Sequence, residues 1–175
     1  MTTPPEFSHV VTLAEAAQGR SLALVADPTA RAAIARRLGL VSLDMFETDV
    51  EVRAVAGGMG VRGTVRAALV QPCAATDLPV AATVSEAFDL RYLRDIGPVE
   101  PEDEIELGEE EIDTLPLEHD RVDVGEVAVQ TLSLALDPYP RHPDADRILA
   151  EKGVLSEEQA GPFAALAVLK GKKGG

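Results

Sequence analysis

Residues 50–69 read "VEVRAVAGGMGVRGTVRAAL", with an alternation of residue types on either side of a glycine cluster. On the first arm Val50, Val52 and Ala54 alternate with Glu51 and Arg53. On the second, Val61, Val65, Ala67 and Leu69 share one face, and Arg62, Thr64 and Arg66 the other. A period of two marks a strand with one buried face, because successive side chains of an extended chain point to opposite sides. "AGGMG" at 56–60 supplies turn residues tolerant of positive φ, so the stretch predicts a β-hairpin. Its glycines do not form a phosphate loop, since they lack the strand-to-helix setting and the Lys-Ser/Thr ending.

The alternation continues beyond "VQPCAATDLPV", 70–80. Val80, Ala82, Val84, Phe88, Leu90 and Tyr92 keep one parity, broken only by Glu86. Three consecutive strands therefore predict an antiparallel meander with one buried face. Upstream, 8–13 and 21–26 read as short strands flanking an alanine-rich turn or helix. A helix is predicted over 28–38, capped by Asp27, started by Pro28, carrying Ile34 and Leu38 on one face and closed by Gly39.

Downstream, "EIDTLPL" reads as a short strand, followed by a helix that Asp123 caps and Glu126 closes in a capping box. Val129, Leu132 and Leu136 form its buried stripe, and Pro138 prevents its continuation. Residues 138–155 read as irregular, and a last short helix is expected over about 162–170, with a loose basic tail. The whole predicts a single domain, 1–175, of the α+β class: a curved antiparallel sheet, barrel-like if it closes, flanked by a few helices.

The formal net charge is −14, which argues against nucleic-acid binding over the whole surface, because such binding rests on basic side chains neutralising phosphates. Residues 99–113, "VEPEDEIELGEEEID", hold nine acidic residues and no basic one, so most of the excess lies in one acidic loop. That loop reads either as a solvated, self-repelling segment or as an acidic finger for a basic partner. No apolar run approaches the roughly 20 residues needed to cross a bilayer. "MTTPPEFSHVV" lacks the basic region and apolar run of a signal peptide, and the single cysteine cannot form an internal disulfide. A cytoplasmic protein is expected.

Chemistry is sparse. His9, His119 and His142 are scattered, so neither a close-spaced zinc pair nor a defined Cys-His couple with Cys73 stands out. There is no GxSxG or HExxH motif, and the carboxylates of the acidic loop lack the apolar surroundings that raise a pKa. The residues predict no catalytic group, no cofactor and no metal. "LDPYPRHP", 136–143, presents Tyr139 and Arg141, types enriched at binding hot spots, on a proline-stiffened segment. Phe163 and Leu166 of the terminal helix, with Arg62 and Arg66 of the polar sheet face, complete the candidate partner contacts; the acidic charge suggests a basic protein, and the alternative is RNA binding confined to a local basic patch such as Arg62, Arg66 and Arg91.

The ordered set of hairpin, "VQPCAATDLPVAATVSEAFDLRY", acidic stretch, "IDTLPL", "VDVGEVAVQTLSLALDPYPRHP" and "GPFAALAVLK" resembles the YceD-like family, domain of unknown function 177, the large ribosomal RNA subunit accumulation proteins. The resemblance runs from about Phe7 to Lys170, and "ARRLGLVSLD" and "LALDPYPRHP" are most similar to the alphaproteobacterial branch. It implies a role in ribosome biogenesis, with a ribosomal protein or pre-ribosomal particle of the large subunit as partner. Many members carry a Cys-x-x-Cys pair that suggests a small metal site; here Cys73 matches the first cysteine and Thr76 stands at the second. A neutral hydroxyl is a poor zinc ligand, so Cys73 is the remnant of that position. The resemblance implies a non-enzymatic factor. A cysteine- or metal-dependent enzyme acting on RNA and a structural protein adaptor are the alternatives.

Overall fold

A computed structural model describes residues 5–95 and 113–154. The acidic residues 96–112 and the terminal segment, with the expected helix over 162–170, Phe163 and Leu166, lie outside the described residues. The chain forms two compact units, one of residues up to Gln71 with Ala81–Asp137, the other of Pro72–Val80 with the residues from Pro138 on.

The first unit is organised by the predicted hairpin, longer than its sequence pattern suggests. Strands β3 (Ser42–Val55) and β4 (Gly58–Pro72) pair antiparallel from Ser42↔Val70 to Val55↔Gly58, so only Ala56 and Gly57 form the turn. Gly57 takes φ 80°, whereas Gly58 and Gly60 belong to the strand. At Gly58 a side chain would run into the Tyr92 carbonyl, so this glycine serves close strand approach rather than the turn. A bulge at Asp44 shifts the register between Leu43 and Met45, which reverses the parity of β3 and lets both Leu43 and Phe46 face the core.

The sheet has the order β2 (Arg20–Val25), β3, β4, β5 (Pro79–Leu93), β6 (Asp113–Pro116). β2 is antiparallel to β3. Gly58 lies against Tyr92 and Gly63 against Phe88, so β4 and β5 also run in opposite directions, completing the meander. The sheet is open rather than barrel-like, and β6 joins β5 in parallel, from Leu90↔Asp113 to Leu93↔Pro116. A separate ribbon pairs β1 (Val10–Thr12) with β7 (Arg121–Asp123).

Helix α1 (Leu13–Ala16) follows β1 directly and carries a capping box: the Glu15 amide donates to Thr12 Oγ1, and the Thr12 amide donates to the Glu15 carboxylate. The Thr12 amide and hydroxyl, both donating to it, hold the Glu15 carboxyl below the usual carboxylate range. Helix α2 (Pro28–Leu38) has the predicted bounds, with Asp27 accepting from the Ala30 amide at 2.8 Å and Gly39 left-handed at φ 67°. Helix α3 (Val124–Ala135) is capped by Asp123 as expected, at 3.1 and 3.2 Å from the Gly125 and Glu126 amides. The expected reach-back of Glu126 is not made. Its carboxylate turns to Arg37 and Gln130, while Asp123 accepts further bonds from the Ser8 hydroxyl and the His9 amide.

The inward parity of the meander meets α2 and α3. Phe46, Val65, Ala67 and Leu69 pack with Ile34, Ala35, Ala128, Val129 and Leu132. Beside them Val50, Val52, Met59 and Val61 pack with Val11, Val122, Val124 and Val127. At about 1.5–3 kcal/mol per fully buried aliphatic or aromatic side chain, these clusters dominate the stabilisation of the unit. Thr48, the polar intruder, donates its hydroxyl to the Thr64 carbonyl at 3.1 Å.

In the second unit, the segment expected to be irregular contains a short helix, α4 (Ala145–Glu151). Asp144 stands at its N-cap but makes no side-chain cap bond. No helix among the described residues is long and apolar enough to cross a membrane.

Candidate functional site

The cysteine corner belongs to the second unit, and its turn is closed by backbone bonds. The Cys73 amide donates to the Leu78 carbonyl at 2.7 Å, and the Asp77 amide to the Cys73 carbonyl at 3.0 Å. Asp77 closes the turn in the left-handed region, φ 60°, a conformation that aspartate tolerates better than most residues. From the proline-rich segment, the Pro140 carbonyl accepts from the Ala74 amide at 2.8 Å, and the His142 amide donates to Cys73 Sγ at 3.3 Å.

The Cys73 side chain is buried, at 1% exposure. The His142 amide, with the Thr76 hydroxyl and the Ala75 and Thr76 amides, pulls its thiol down to about 7 against the opposing effect of burial. Thr76 Oγ1 is itself buried and makes no hydrogen bond of standard geometry. His142 Nδ1 accepts from the Asp144 amide at 3.1 Å, which orients the ring but places no base on the sulfur. The sulfur is a buried hydrogen-bond acceptor within a turn, with no proton-accepting partner among the described residues.

The sheet arginines occupy the outward face, as their parity predicts, but not as free cations. Arg62 pairs with Glu51 at 2.5 Å, and Arg66 pairs with Asp49 at 2.6 Å and Glu47 at 3.4 Å. The hairpin register sets Glu51 opposite Arg62 and Glu47 opposite Arg66, with Asp49 the diagonal neighbour of Arg66 two residues along. In the second unit Arg141 is tied to Asp146, and Tyr139 is 79% exposed. Thus Arg62 and Arg66 come together on one face, while Tyr139 and Arg141 flank Pro140, whose carbonyl accepts from the Ala74 amide, and so lie near the cysteine turn in space though far from it in sequence.

Two features escaped the sequence reading. Arg37 at the end of α2 grips Glu126 and Glu6, a link that spans 89 residues and has no local signature. A groove of about 710 Å³ lies between β5, β6 and α3, with Leu134 of α3 88% exposed beside it. Its only trace in the sequence is Glu86, which interrupts the apolar row of β5.

The family model for YceD, described as large ribosomal RNA subunit accumulation protein YceD, matches residues 61–170. The chain belongs to the YceD family. The matched span begins on β4 and takes in the cysteine corner, β5, α3 and the proline-rich segment. The family's name implies a role in the accumulation of the large ribosomal RNA subunit. No curated protein and no solved structure matches the chain.

The corner of this YceD protein can be tested against the metal that the family resemblance implies. Structural zinc wants four deprotonated sulfur or nitrogen donors at tetrahedral positions. Here Cys73 Sγ has a hydroxyl at the paired position and an amide hydrogen directed at it, and His142 Nδ1 is already accepting a bond. No group of three or more His, Cys, Asp or Glu able to hold a metal exists among the described residues. The donor set does not fit zinc, and the hydrogen bonds from Ala74, Asp77 and His142 hold the turn instead.

Proposed function

We propose that this YceD-family protein is a non-enzymatic cytoplasmic factor that supports large-subunit ribosomal RNA accumulation by contacting a ribosomal protein or pre-ribosomal particle. The observation that carries the protein-contact reading is the pairing of Arg62 and Arg66 with Glu51, Asp49 and Glu47. These arginines offer RNA no unneutralised patch, and a chain of net charge −14 is attracted to basic proteins rather than to phosphates. Tyr139, exposed on its proline-rich segment, and Arg141 are proposed contacts.

Affinity capture from lysate, with and without ribonuclease, tests this. Retention of a large-subunit ribosomal protein after ribonuclease treatment supports protein contact, and its loss on ribonuclease treatment shifts the contact to RNA. Recovery of no ribosomal component under either condition overturns the proposal.

The depressed thiol of Cys73 favours a second reading, a cysteine-dependent enzyme acting on RNA. Its burial, and the origin of the shift in hydrogen bonds from His142, Thr76 and Ala75 rather than in a neighbouring base or cation, weigh against it. Cys73→Ser discriminates: a folded serine variant that still supports ribosomal RNA accumulation removes the enzyme, and one that does not removes the non-enzymatic factor.

A further inference from the structure

β4 covers one edge of β5, and β6 covers the other only from Leu90 to Leu93. Among the described residues, the backbone of Ala81–Asp89 therefore has no strand beside it on that side. A long uncovered edge is a row of unmet amides and carbonyls, and native sheets either blunt it or use it to take on a further strand.

Beside this edge runs the groove of about 710 Å³. Phe88, Leu90, Leu115, Thr131 and Leu134 supply its apolar lining. The Thr131 hydroxyl is spent on the Val127 carbonyl of its own helix, so it is the methyl that remains for packing. Leu134, at 88% exposure, is the most exposed large apolar side chain described. On the apolar row of β5, between Val84 and Phe88, stands Glu86, exposed at the groove and paired with no cation among the described residues. Asp113 at the start of β6 adds a second carboxylate to the rim.

A charge on the inward row of an edge strand repels any strand that would cover it with apolar side chains. It admits one that places a cation there. Pairing with a second copy of the same edge centred on Glu86 would set that carboxylate against its own duplicate, which is unfavourable for cross-strand neighbours. The geometry points to the β5 edge as the docking site for an extended basic segment of a partner protein. Such a segment lies along Ala81–Asp89, directs alternate apolar side chains toward Leu134, and sets a lysine or arginine against Glu86. This rests on the assembly-factor reading and specifies the chemistry of the partner: a basic, strand-forming extension.

The test uses the full chain and two synthetic peptides of valine alternating with threonine, in which one central valine is replaced by lysine in the first and by glutamate in the second, followed by fluorescence anisotropy at low salt. The lysine peptide binds and the glutamate peptide does not. Glu86→Lys weakens binding by at least about tenfold, since it replaces an attraction by a like-charge contact, and Leu134→Asn weakens it as well. Circular dichroism confirms that both variants stay folded. Hydrogen exchange shows the alternate amides of Ala81–Asp89 that point away from β4 slowing when the peptide is added.

Equal binding of the two peptides, indifference to Glu86→Lys, or protection of those amides in the free chain overturns the proposal. So does self-association that protects them without peptide. Ribosomal capture that persists in Glu86→Lys removes this edge while the assembly-factor reading stands. Failure of the wild-type chain to capture any ribosomal component removes that reading and leaves the peptide result to be judged alone.

Discussion

The Arg37 guanidinium holds the Glu126 carboxylate with both terminal nitrogens, at 2.8 and 2.6 Å, and so fastens the end of α2 to the first turn of α3. Glu6 accepts from the same guanidinium at 3.1 Å. Arg37→Ala should destabilise the fold by about 1 kcal/mol in urea unfolding, because the pair is bidentate but partly open to solvent. Arg37 holds the Glu126 carboxyl below its usual range. The stabilisation is therefore complete above that range and is lost as acid protonates Glu126, so the variant should show a flatter acid limb than the wild type.

Absorbance of the thiolate should titrate near pH 7 in the folded protein and return to the ordinary thiol range in denaturant. Because the folded value is the lower one, stability should rise from pH 7 up to that ordinary range. Cys73→Ser, which keeps an acceptor for the His142 amide, should stay folded and lose this rise. An unchanged pH profile in the serine variant would show that Cys73 is not the source of the rise.

Zinc and chelator should both leave the Tm unchanged in a thermal scan of the purified chain. A structural zinc contributes directly to folding, whereas this corner has the wrong donors and is closed by backbone bonds.

Gly63→Ala should cost about 1–3 kcal/mol by overpacking. The added methyl would lie 2.7 Å from the Phe88 ring and would also meet the Asp49 carbonyl. In the same urea assay Leu132→Ala, at a fully buried site on α3, should cost about 2–5 kcal/mol through the cavity left behind.

The hairpin and α2 were legible because their signals are local: a period of two over the strands, and Asp27, Pro28 and Gly39 punctuating the helix. The parallel pairing of β6 was not, since "DTLP" says nothing about direction and its neighbour precedes it by a long connection. Nor was α4, whose seven residues are too few to show a helical period behind Asp144. At the sites, the parity of Arg62 and Arg66 gave their face, but their neutralisation depends on the register against β3. Glu126 shows the limit most clearly. Its position three residues after Asp123 suits a capping box, yet a distant arginine competes for its carboxylate. The groove beside β5 is made of three elements at once, and Glu86 alone hinted at it through the broken alternation.

The ribbon of β1 and β7 joins Val10 to Asp123, residues far apart in the chain. During synthesis the hairpin of β3 and β4 can close as soon as it emerges, since its halves are neighbours, while β1 must wait for most of the chain to be made. Until Arg121–Asp123 appears, Val11 has no strand to lie against, and the core formed by Val122, Val124 and Val127 is missing its far wall. The first unit is thus completed late and from its two ends, so a nascent chain that stalls before β7 holds a formed hairpin with an exposed apolar face, a substrate for chaperone or protease rather than a half-working protein.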